Sequence, residues 1–172
     1  MATAMGATAK APHGNLLAIG MLDRALALAA AVLLAAVCVA LVRGHSEWGR
    51  VPALVWAHLL TIAVALALTP AMMVRPRGDR DHRRLGTVWV CAMIATAAIS
   101  LFVHVSGPGR FGVIHLLSVW TLIQVPLIWW TARTHQVMRH RRAVRGMVIG
   151  AVLIAGFFTF PFGRLLGHWL FA

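Results

Sequence analysis

Acidic residues are scarce in this 172-residue chain, which has four Asp and Glu against 16 Lys and Arg, no tyrosine and two cysteines. Charged residues make up only 12% of it, whereas a soluble globular domain carries about 25%. That shortage excludes a water-covered surface of ordinary composition. The few carboxylates form no pair spaced for general acid–base work. Cys38 and Cys91 each fall inside an apolar stretch, so they read as packing residues, with no disulfide framework and no C-x-x-C chemistry. The patterns G-x-S-x-G, P-loop, H-E-x-x-H and C-x-x-C-H are all missing. Serine hydrolases, nucleotide enzymes, zincins and c-type haem proteins lose support together.

Hydrophobic residues are abundant instead, at 60% of the chain. They are grouped into continuous runs of about 20 residues, the length that crosses a bilayer as a helix. The runs are Ala25 to Val42, Ala53 to Val74, Thr87 to Ser106, Gly112 to Ala132 and Gly146 to Phe162. No period-2 alternation suggests a barrel, and within lipid the remaining solution is the helix. The expected fold class is therefore an all-α integral membrane protein, a bundle of about five transmembrane helices. Helices two to five are expected to form a four-helix core. Residues 1–14, rich in Ala, Gly and Thr, are expected to be a disordered cytoplasmic tail, and residues 15–172 a single transmembrane domain.

Arginine placement sets the expected orientation. The RPRGDRDHRRLG segment holds Arg75, Arg77, Arg80, Arg83 and Arg84, and the segment Arg133 to Arg145 holds five more arginines. Each would cost about 2.5–3.5 kcal/mol at a helix centre, so neither segment lies within a span. With the N-terminus inside, 12 of the 16 basic residues are cytoplasmic, leaving Arg43, Arg50, Arg110 and Arg164 outside. The positive-inside rule accounts for the +12 formal charge, and a nucleic-acid partner is not needed to explain it. Trp48, Trp56 and Trp169 fall at outer ends and Trp89, Trp129 and Trp130 at inner ends, as two interfacial belts require. Gly146 and Gly150 form a G-x-x-x-G on the fifth run and are expected to support close helix contact.

Histidines form the one constellation with chemical potential. His58, His82, His115 and His140 stand near the starts of helices two to five. Because helix direction alternates, His58 and His115 make an outer pair and His82 and His140 an inner pair. Axial ligation of b-type haem takes one imidazole from each of two helices facing across a bundle. Arg83 and Arg141, with Arg84 and Arg142 beside them, could receive inner haem propionates, and Ser118 could orient the ring of His115. His104 is a reserve ligand. His13, His45, His135 and His168 read as surface residues. Against the haem reading, a neutral histidine at a membrane interface also serves simply to hydrogen-bond between helices.

RGDRDHRRLG leading into VWVCAM, GVIHLLSVWTLIQ, HRRAVRGMVIGAVLIAGFFTF and the following Pro161, Gly163 and Arg164 resemble the bacterial family of predicted membrane proteins called domain of unknown function 2306. The likeness covers about residues 55–165 and carries no activity with it. More distantly, the order of His58, His82, His115 and His140 resembles two-haem cytochromes of the b561 type, which pair the second helix with the fourth and the third with the fifth. This chain departs from those in having one span fewer, and its inner histidines lie in shallower, more basic positions.

The resemblances imply a cytochrome b561-like protein of the bacterial cytoplasmic membrane. It would bind one or two b-type haems and carry electrons between a quinol or other small reductant and an acceptor. The competing expectation is a non-catalytic membrane protein, either a transporter-like module or an accessory subunit of a membrane complex, without haem. In that case Thr121 and Gln124 could line a polar path.

Overall fold

Each of the five apolar runs supplies most of one long helix. The computed structural model describes residues 19–103, 113–161 and 163–171. Helix α1 is Met21–Arg43 and runs on into a 3-10 turn, Gly44–Arg50. It is followed by α2 (Ala53–Val74), α3 (Arg80–Ser100) and α4 (Val113–Arg133). The fifth helix, α5, begins as Val137–Met147, widens into a π-helical stretch, Val148–Ile154, and ends at Ala155–Phe157. A short helix, α6 (Leu165–Phe171), folds back over one end. Among the described residues there is no strand. The expected tail at residues 1–14, His13 and His104 lie outside the described residues.

Three helices are long and apolar enough to cross a membrane: Met21–Arg50, Ala53–Val74 and Ile114–Arg133. The other two, α3 and α5, start within the arginine segments, seven and nine residues before the apolar runs they contain. The early start of α3 has a local cause. Gly78 takes a φ of 85° in the turn after α2, a conformation glycine adopts at little cost. Asp79 then caps the helix by accepting the backbone N–H of His82 at 2.6 Å.

Successive helices pack side by side, and α1 also contacts the π-helical stretch of α5, which closes the set into a ring. The expectation of a four-helix core from helices two to five is therefore corrected. Leu26, Ala27 and Ala30 of α1 are buried in the same cluster as Ala65 and Leu66 of α2, Trp89 and Met93 of α3, Val125 and Ile128 of α4, and Met147, Val148 and Val152 of α5. Polar side chains stitch α2 to α3 within this interior. The Thr61 and Thr96 hydroxyls meet at 2.9 Å, and the Trp89 indole donates to Thr69 Oγ1 at 3.1 Å. The outside of the ring is apolar, with Leu60 and Leu116 more than two-thirds exposed, which suits a bundle surrounded by lipid.

Close backbone approach occurs away from the G-x-x-x-G pair. A Cβ at Gly146 would meet open space, and one at Gly150 would make ordinary contact with the Trp120 ring at 3.7 Å. A Cβ at Gly44 would instead overlap the Trp169 ring, and one at Gly167 the Phe160 carbonyl. Both tight glycines serve the docking of α6, where Trp169 donates to Glu47 Oε2 at 2.8 Å.

Candidate functional site

The arginine-rich end of the ring is organised by Asp23, the lone acidic residue of α1. Asp23 accepts the backbone N–H of Gly20 at 3.0 Å, which satisfies an orphan donor at the start of the helix. It then accepts three guanidinium groups: Arg77 at 2.6 Å, Arg141 at 2.9 Å and Arg145 at 2.7 Å. Arg141 and Arg145 are four apart on α5 and so share one helical face, while Arg77 comes from the turn between α2 and α3. The carboxylate is 1% exposed and the three arginine side chains 12–23%. Arg75, by contrast, pairs with Asp81 at 2.7 Å on the surface.

Beside this cluster lies a small cavity of about 20 Å³, lined by Asp23, Arg77, Arg141 and Arg145, by His82 and His140, and by the apolar Met72, Met73 and Val144. The expected inner pair, His82 and His140, thus converges on one space together with Arg141. His140 Nδ1 lies 3.1 Å from the Ile128 carbonyl. A carbonyl only accepts, so Nδ1 carries the proton and Nε2 keeps its lone pair. His82 Nδ1 is buried with no hydrogen-bond partner among the described residues.

Both histidines precede the apolar runs of their helices, and both are driven towards the neutral form. Burial is the largest cause in each case. The charge of His140 and then of Arg77 and Arg75 pushes His82 further below its ordinary 6.5, against the pull of Asp79. For His140 the Ile128 carbonyl resists the shift and Arg77 adds to it. Neutral imidazoles with a fixed tautomer are electron-pair donors.

His58 is half-buried on α2 with its Nδ1 without a hydrogen-bond partner among the described residues. It stands beside the backbone carbonyl of Thr96 on α3. His115 is 5% exposed and lies on the buried face of α4 with Ser118 and Thr121. The hydroxyl of Ser118 donates to the Ile114 carbonyl at 2.9 Å. Arg83 is exposed and outside the cavity lining; Arg77 and Arg145 occupy the positions beside the inner histidines. His45 and His168 are surface residues, the former 3.1 Å from the Val42 carbonyl and the latter 3.9 Å from Glu47.

As a haem site the inner end fits in chemistry and not in volume. Its two neutral imidazoles, thioether walls and flanking arginines are the donor set that a bis-histidine haem with propionates requires. A cavity of about 20 Å³ holds one water molecule, so a macrocycle between α3 and α5 requires those helices to part. Among the described residues, no three His, Cys, Asp or Glu side chains come together as a metal site.

Comparison with family models, with curated proteins and with solved structures gives no match, so function must be argued from these residues.

Proposed function

We propose that the chain is a five-span protein of the bacterial cytoplasmic membrane, N-terminus inside and C-terminus outside, that carries electrons through b-type haem held by paired histidines. The donor is a quinol or another small reductant. One observation carries this reading: His82 and His140, paired on sequence grounds alone, line one cavity with Arg141. Bound there, haem would supply one-electron redox chemistry. His140, oriented by Ile128, and His82 would ligate it, and Arg77, Arg141 and Arg145 would meet its propionates. His58 and His115 are the proposed outer ligands.

The small cavity favours a second reading, a haem-free accessory or transporter-like membrane protein whose basic end is structural. An absorption spectrum of protein purified from haem-replete cells separates the two. The haem reading expects a Soret band and alpha bands on reduction; a colourless protein overturns it.

A further inference from the structure

Gln124 stands near the middle of α4, one of the helices long and apolar enough to cross a membrane. On the same helix the hydroxyls of Ser118, Thr121 and Thr131 each donate to a backbone carbonyl about one turn back. The half-buried amide of Gln124 makes no hydrogen bond among the described residues. An amide facing hydrocarbon finds no water, and it stays costly until another polar group reaches it.

The surroundings of Gln124 leave room for such a group. Trp120, Ile123 and Leu127 beside it are exposed apolar side chains, whereas Thr121, Val125 and Ile128 turn inward. Trp120 lies against α5 at Gly150, and the Ile128 carbonyl meets α5 at His140. Gln124, midway between those two contacts, therefore comes level with Gly146. Gly146 is exposed, and a side chain there would meet open space. The seam between α4 and α5 is thus a shallow groove with an unpaired amide on one wall.

We propose that a second copy of this chain packs against this groove, with Gln124 of each copy hydrogen-bonded to its counterpart. An amide carries both donors and an acceptor, so two of them satisfy one another. A twofold pairing presents the same patch from both copies. Two copies inserted in the same direction have that axis along the membrane normal, which puts Gln124 of each at one depth. Glutamine bonds between membrane helices hold them together, and a glycine beside the contact lets the backbones approach. The proposal needs α4 to cross the bilayer and is indifferent to haem.

The test uses full-length protein carrying a donor or an acceptor fluorophore on a C-terminal tag, reconstituted together into phosphatidylcholine vesicles and diluted with lipid. Energy transfer should exceed that of random proximity, and Gln124→Leu should weaken the pairing about tenfold. Gln124→Asn, which keeps the amide, should weaken it less. Gly146→Leu, which fills the groove, should weaken it as Gln124→Leu does, and Leu60→Ala, at an exposed position of α2, should leave it unchanged. Wild-type transfer at the random level overturns the proposal, and that comparison decides even if a variant fails to fold. A folded Gln124→Leu protein that pairs as tightly as the wild type overturns it too. Retention of a lipid quinone by the wild type and not by Gln124→Leu, without energy transfer, gives the groove to a small ligand instead. The absorption spectrum of the same preparation reports on the haem reading separately.

Discussion

Asp23 and Arg145, 122 residues apart in the chain, meet at 2.7 Å and join the first helix to the fifth. Replacing Asp23 with Asn leaves three guanidinium groups around a neutral amide. Breaking a buried ion pair by removing one partner costs about 3–5 kcal/mol, so Asp23→Asn should melt far below the wild type in detergent. An unchanged melting temperature would show that the ring is held by apolar packing alone.

Glycine substitutions should rank by what surrounds them. A methyl group at Gly167 runs into the Phe160 carbonyl, a backbone atom that cannot swing aside, whereas Gly150 has room beside Trp120. Gly167→Ala is expected to cost about 1–3 kcal/mol through overpacking. Gly150→Ala should be neutral or gain up to about 1 kcal/mol from helix propensity. Melting temperatures in the reverse order would mean that α6 does not dock as described.

Acid should loosen the arginine-rich end. His82 and His140 are held below their ordinary value of 6.5 in the folded protein, so as pH falls the unfolded chain takes up protons first. The stability tied to their neutral forms is complete above pH 6.5 and is lost as pH falls towards the folded values. Melting temperature should decline between pH 7 and pH 5, and a His82→Gln/His140→Gln double variant should decline less steeply. Parallel curves would assign the acid sensitivity to other groups.

Orientation can be read with reporter fusions. A periplasmic reporter fused after Arg84 should be inactive, and one fused after Arg50 active, because the proposed five-span arrangement would put 12 of the 16 basic residues on the cytoplasmic side. Activity after Arg84 would overturn the five-span arrangement.

If the protein is red, ligand assignment follows from four alanine variants. His82→Ala and His140→Ala should each remove the signal of an inner haem, and His58→Ala and His115→Ala that of an outer one. His104→Ala should leave the spectrum intact. A red protein indifferent to all four would retain the cofactor and discard these ligands.

Much of the bundle was legible in the chain. The apolar run Ala53 to Val74 coincides with α2, and the run ending at Val42 stops one residue short of the end of α1. Span arguments set α3 and α5 too short because they treat arginine as a boundary, whereas the Asp79 cap and the amphipathic first turns carry both helices outwards past the apolar zone. That His82 and His140 line one space was legible from helix alternation. The Asp23 cluster was not, since its partners lie 54, 118 and 122 residues away and no local spacing links them. The available hint was a solitary carboxylate at an interface in a chain crowded with arginine. The π-helical stretch left no such hint in the sequence.

Asp23 lies in α1, and two of its three guanidinium partners lie in α5. Arg77 reaches that carboxylate from the turn after α2, and α5 brings the other two guanidinium groups to it. One carboxylate thereby ties together segments from both ends of the described chain, and a protein ending before Arg141 would lack two of the three ion pairs that join α1 to the rest of the ring.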